Sequence, residues 1–164
     1  MDLISAFVDL ATNNLLAAVP AGGDGVHAPP SSNTVQEPMR HLGQIKRGDT
    51  LTFAVQFLTA GIITQVSAPA TGVLGFKQKG NHNAPLAATA ASWTFSGSGT
   101  TATYTFSVTF ESAALNALFV IGDPLPADEV PFVDLAGEIK WIDANGTHET
   151  TEDFVLRVLN DVNQ

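Results

Sequence analysis

The residues able to do chemistry are few and poorly grouped. Four histidines, His27, His41, His82 and His148, are spread along the chain, and none stands at close metal-ligand spacing to another. A His-Glu-x-x-His pair, which sets two imidazoles on one helix face around zinc, is absent. His148-Glu149 reads as an exposed pair just past a turn. Asp123, Asp128, Glu129 and Asp134 form a loose acidic group around prolines. Calcium draws several oxygens from such loops, but the regular Asp-x-Asn/Asp-x-Asn/Asp-Gly spacing is missing, so the reading is a solvated acidic loop. A glycosidase pair can always be drawn from sixteen acids and carries no weight without geometry. Ser96-Gly97-Ser98-Gly99 has the letters of a nucleophile elbow in the wrong order. The lack of cysteine removes disulfides, thiolate nucleophiles and thiolate metal ligands together. Gly22-Gly23-Asp24-Gly25 lacks the Lys-Ser/Thr ending of a phosphate loop. The expectation is therefore a protein that is not an enzyme, with no catalytic, cofactor-binding or metal-binding residues.

Charge narrows the partners. Seven basic against sixteen acidic residues leave a formal net charge of -9, a field that repels phosphate backbones and argues against nucleic-acid binding. No apolar run approaches the ~20 residues that span a bilayer, so no membrane insertion is expected. Met1 to Val19 is apolar, yet it carries Asp2 and Asp9 and no Lys or Arg, unlike the basic start of a secretion signal.

Stepping along the chain, most of it alternates with the period of two that buries one face of a strand. Leu51, Phe53, Val55 and Phe57 alternate with Thr50, Thr52, Ala54 and Gln56, after a turn at Lys46-Arg47-Gly48-Asp49. Ile62 to Val66 and Gly72 to Gln78 are further strand candidates, as is Ala91 to Phe95 with Trp93 and Phe95 on one face. Tyr104, Phe106, Val108 and Phe110 alternate with Thr103, Thr105, Ser107 and Thr109, the aromatic and β-branched content a half-buried strand prefers. Ser112 can cap one or two helical turns through Phe119, and the prolines of Gly122 to Pro131 require a loop. Gly137 to Asp143 and Thr150 to Leu159 flank Asn145-Gly146, a favoured type I′ pair. That turn role accounts for the Asn145-Gly146-Thr147 sequon. About seven or eight short strands with frequent turns argue for an all-β antiparallel sandwich over residues 39–164. Trp93, Trp141 and Tyr104 could stack on a sugar if exposed, which keeps a carbohydrate-binding module as an alternative; their alternation points to core packing.

Residues 1–38 read differently. Leu3, Ile4, Phe7, Val8, Ala11, Leu15 and Val19 recur at three- and four-residue spacing, the period of an amphipathic helix, with Asn13-Asn14 as an interruption. Pro20 to Pro38 has the composition of a linker. The helix either packs on its own domain or docks as an arm on a neighbour. In the second case Leu3, Phe7, Val8 and Leu15 are the expected docking face, each worth about 1.5–3 kcal/mol of burial before ordering costs.

The quoted segments also share an order. Lys46-Arg47-Gly48-Asp49 leads into a strand; then come Leu74 to Gly80, Leu115 to Phe119, Leu135 to Trp141 and a terminal Val158 to Val162. From Gln44 to Val162 this order resembles the N-terminal immunoglobulin-like domain of tailed-phage baseplate and tail-fibre proteins, the upper-baseplate-protein type. The resemblance implies an immunoglobulin-like fold and a structural, non-catalytic adaptor of the virion in the tail, baseplate or fibre-attachment region. Its partners would be other virion proteins and copies of itself. A head decoration or capsid-fibre protein is the alternative within the same fold. Family domains carry a longer fibre after them; this chain stops at Gln164, so a small standalone virion component is expected.

Overall fold

A computed structural model describes residues 2–17, 19–21, 26–28, 39–66, 72–81, 83–119, 131–142 and 145–160. Its strands, in chain order, are β1 (Asp2–Asp9), β2 (Asn14–Ala17), β3 (Val19–Ala21), β4 (Val26–Ala28), β5 (His41–Lys46), β6 (Thr50–Thr59) and β7 (Ile62–Thr64). The series continues with β8 (Gly72–Gln78), β9 (Leu86–Ala90), β10 (Thr94–Ser96), β11 (Thr103–Thr109), β12 (Phe132–Ile142), β13 (His148–Thr150) and β14 (Phe154–Leu159). A 3-10 turn covers Gly99–Thr101 and a short helix, α1, covers Ala113–Ala117.

Two sheets pack face to face as a β-sandwich. One runs β10-β11-β6-β1-β2, with β7 also on β6; the other runs β5-β14-β12-β8-β9, with β13 also on β12. Both are mixed rather than purely antiparallel, because β1 lies parallel to β6 and β5 parallel to β14.

Strict alternation built the centre as expected. Leu51, Phe53, Val55 and Phe57 of β6 and Tyr104, Phe106 and Val108 of β11 are buried, facing Leu74 and Phe76 of β8, Leu135, Ile139 and Trp141 of β12, and Phe154, Leu156 and Val158 of β14. Phe57 is the hub of an aromatic cluster, with ring centroids 5.0 Å from Trp141, 5.3 Å from Tyr104 and 6.0 Å from Trp93. Gly137 of β12 admits no side chain: a Cβ there would stand 2.5 Å from the rings of both Phe154 and Phe76. The Tyr104 hydroxyl donates to the Val66 carbonyl at 3.1 Å, and burial pushes its pKa up. Ser112 caps α1, its hydroxyl accepting from the Leu115 amide at 3.0 Å.

The largest correction concerns residues 2–17, where the expected helix is a β-hairpin. Asp9 and Asn13 shape its turn: the Asp9 carboxylate accepts from the Ala11 amide at 3.0 Å, and Asn13 adopts the left-handed φ of 57°. Ile4, Ala6 and Val8 face the sandwich core while Leu3, Ser5 and Phe7 point outward. Apolar residues on both strand faces imitate helical spacing, and the reading failed for that reason. Part of the expected linker is also ordered, since β3 and β4 pair with Pro20 opposite His27. A two-stranded ribbon tolerates proline because each strand has a free edge. The remaining Gly- and Pro-rich positions, 22–25 and 29–38, lie outside the described residues.

Smaller differences are local. Residues 41–46 form a strand although only Ile45 among them is buried. Of the strand expected at Ala91 to Phe95, only Thr94 and Phe95 are in a strand, β10; Ala91, Ser92 and Trp93 lie in the connection between β9 and β10. The last hairpin is not closed by a two-residue turn. Ile142 pairs with His148, and among the described non-glycine residues only Asn13 and Ala60 have positive φ, so Asn145 does not meet the type I′ requirement. Residues 120–130, including Asp123, Asp128 and Glu129, lie outside the described residues, as does His82.

Candidate functional site

The surfaces with most built-in structure are the seat of the N-terminal hairpin and the outer face of β12 and β14. In the hairpin, β1 pairs with β6 from Asp2↔Leu51 to Asp9↔Leu58, and β2 closes it with Phe7↔Leu16 and Val8↔Leu15. Val8 and Leu15, at 0% and 2% exposed, belong to the main core. Phe7 packs outside the sheet with Leu16, Leu58 and Ile63. Leu3 is 69% exposed. The four expected docking residues are thus split: Phe7, Val8 and Leu15 seal the hairpin onto its own sandwich, and Leu3 is exposed among the described residues. Polar contacts hold the hairpin's turn against the other sheet, where the Glu152 amide donates to the Asn13 carbonyl at 2.9 Å and the Asn13 side-chain amide donates to Glu149 at 3.3 Å.

On the second surface, Asp134 of β12 stands opposite Arg157 of β14. Arg157 donates through Nε at 2.8 Å and Nη2 at 3.2 Å to the two carboxylate oxygens, and its guanidinium lies 3.8 Å from the centroid of the Phe132 ring. The bidentate hydrogen bond holds the Asp134 carboxyl below its ordinary pKa, against a smaller opposing effect of burial. His41, Gly43, Gln44 and Val155 complete the walls of a groove of about 360 Å³. A second groove of about 220 Å³ lies between Lys77, Asn81, Leu86, Glu138 and Asp153 among others. In the first groove the one carboxylate is committed to its arginine, an arrangement suited to bracing two strands rather than to moving protons.

No grouping of His, Asp and Glu fit to hold a metal ion occurs among the described residues; His41 and His148 are exposed and far apart in the fold's order. Trp141 is 2% exposed, and Trp93 packs against Tyr104 with centroids 4.4 Å apart, so neither ring forms the flat exposed platform a sugar-stacking site requires.

Several segments that carried the sequence resemblance converge at one end of the sandwich. The Arg47 side chain donates to Asn116 Oδ1 at 3.1 Å and lies 5.9 Å from the Phe119 ring centroid. The Arg47 amide donates to the Leu159 carbonyl at 2.8 Å, and Gly48, at φ 93°, donates to the Phe110 carbonyl at 2.9 Å. These segments read as separate turn and helix signals in the sequence; the structure makes them one corner.

Two outcomes are expected. Val8→Asp, which buries an unpaired carboxylate, should cost about 3–5 kcal/mol of stability, whereas Leu3→Asp should stay within about 0.5 kcal/mol; urea unfolding midpoints check both. The second concerns pH. Asp134 has a folded pKa below its unfolded value, so its contribution is present above about pH 4 and is lost as pH falls through the folded value. Asp134→Asn should therefore flatten the acid limb of the stability profile, read by thermal melts across the acid range, and leave its alkaline limb unchanged.

No protein-family model matches this chain, and no curated protein matches it.

Proposed function

We propose that this chain is a bacteriophage virion structural protein, an immunoglobulin-like assembly module of the tail, baseplate or fibre-attachment region. The observation that carries the reading is strand order over the stretch that resembles the phage domain. The row β14-β12-β8-β9 stands against β6-β11-β10, as the G-F-C-C′ row stands against B-E-D in variable-type immunoglobulin sandwiches, with β5 added beside β14. Convergence of the Arg47, Asn116 and Leu159 segments on one corner gives the ordered motifs a common structural task. In this reading the molecule works by presenting surface: a rigid aromatic core holds the loops, and the N-terminal hairpin contributes the exposed Leu3 to contacts with other virion proteins or further copies. It assigns no catalysis and no cofactor.

Immunogold electron microscopy of particles from the source cells, with antibodies against the purified chain, tests the proposal. Label at the tail end is the expected result. Label on the capsid would move the assignment to a head decoration, and unlabelled particles would contradict a virion role.

A further inference from the structure

We propose that Asn145 is a site of self-modification in the folded protein: its side-chain amide is lost through a cyclic imide formed with Gly146, which leaves a mixture of aspartate and isoaspartate at that position.

Ring closure has requirements that this loop meets. The residue after the asparagine must let its backbone nitrogen reach the side-chain carbonyl carbon. Asn145-Gly146 is the one Asn-Gly pair in the chain, and glycine has no side chain to shield that nitrogen. The main chain must also have room to rotate. Gly146 has a φ of 80°, and a Cβ built on it would meet nothing within 4 Å, so open space adjoins the attacking residue. Water must reach the reacting atoms as well. Asn145, Gly146 and Thr147 are all exposed, in the connection that leaves β12 after Ile142 and enters β13 at His148. Neither Asn145 nor Gly146 belongs to the β12–β13 ladder, whose outermost pair is Ile142↔His148.

Other described asparagines are set differently. Asn116 lies within α1, and its Oδ1 accepts from Arg47 at 3.1 Å. The Asn13 side-chain amide donates to Glu149 at 3.3 Å, and Asn14 belongs to β2. Asn81 Oδ1 accepts from the Asn83 amide at 3.2 Å. These residues precede Ala117, Asn14, Leu15 and His82, and Asn83 precedes Ala84, so each attacking nitrogen carries a Cβ beside it. A helix or strand further holds the backbone away from the ring-closing geometry.

The atoms balance with water as the one co-reactant. The Gly146 nitrogen gives its proton to water or hydroxide and attacks Cγ of Asn145, forming an N–Cγ bond. The Cγ–Nδ2 bond then breaks, and Nδ2 leaves as ammonia after taking up a proton. Water opens the five-membered imide at either carbonyl. Breaking the new N–Cγ bond gives aspartate. Breaking the original peptide C–N bond gives isoaspartate, in which the main chain runs through Cγ and gains a methylene. Nothing is oxidised or reduced. Either product adds a carboxylate to a chain whose formal net charge is already -9. The isoaspartate also lengthens the path from Ile142 to His148. The next pair in that ladder is Trp141↔Glu149, whose glutamate accepts from Asn13 at the turn of the N-terminal hairpin.

Peptide mapping by mass spectrometry tests the proposal on the folded full-length chain, incubated for weeks in mildly alkaline buffer beside a synthetic peptide of residues 141–150. The expected result is that the fragment holding residue 145 divides into two separable products, each with the mass gained when NH2 is exchanged for OH. Its rate should lie within about tenfold of the free peptide, because an open loop reacts almost without local unfolding. Fragments holding Asn13, Asn81, Asn83 and Asn116 should stay unchanged. Asn145→Gln, whose longer side chain would have to close a six-membered ring, should keep residue 145 intact over the same period. A folded chain that converts more than about tenfold slower than the peptide would overturn the proposal, since the fold would then protect the site. Conversion to aspartate alone would also overturn it, because direct hydrolysis of the amide gives that product without a ring.

Discussion

Strand β6 has two edges, and both must be paired for the sandwich to exist. Its inward face carries Leu51, Phe53, Val55 and Phe57, all fully or almost fully buried. With that face in the core, its amides and carbonyls cannot be left to solvent without wetting the aromatic cluster around Phe57. β11 and β7 take one edge, and the N-terminal hairpin takes the other. The hairpin is thus a structural part of the sandwich even though a long segment separates it from the other strands in sequence.

That requirement explains the unusual distribution of apolar residues at the N-terminus. A strand on one face of a two-layer sandwich needs one apolar face. β1 has most of two, with Ile4, Ala6 and Val8 inward and Phe7 outward against Leu16, Leu58 and Ile63. The outward cluster anchors the hairpin from the solvent side, and beyond it Leu3 stays exposed. An element held by side-chain fit rather than by a short connection owes its place on β6 to its own surfaces.

How much of this was legible in the sequence depended on whether a strand has one apolar face or not. β6 and β11 were readable because polar and apolar residues alternate, and α1 because Ser112 precedes helically spaced Leu115 and Phe119, whereas in β8 the adjacent Val73 and Leu74 left the inward face open until the structure buried Leu74. β5 was not readable: it is an edge strand with a single buried residue, Ile45, and its place beside β14 comes from tertiary pairing alone. β1 was misread because two apolar faces sum to a helical period. The candidate surface suffered in the same way. Leu3, Phe7, Val8 and Leu15 share one stripe on a helix but three environments on a hairpin, so only the structure separates sealing residues from the exposed one. The Arg157–Asp134–Phe132 brace left no sequence signal, since its members are 23 and 25 residues apart in chain and meet only through the β12–β14 register.

Amide hydrogen exchange on the full-length chain tests the central claim, that the hairpin is integral to the sandwich, most directly. The account predicts that the hydrogen-bonded amides of β1 are protected to the same degree as those of β6, opening only with the whole domain. Exchange of β1 orders of magnitude faster than β6, with β6 still protected, would show that the sandwich closes without the hairpin and would contradict the account.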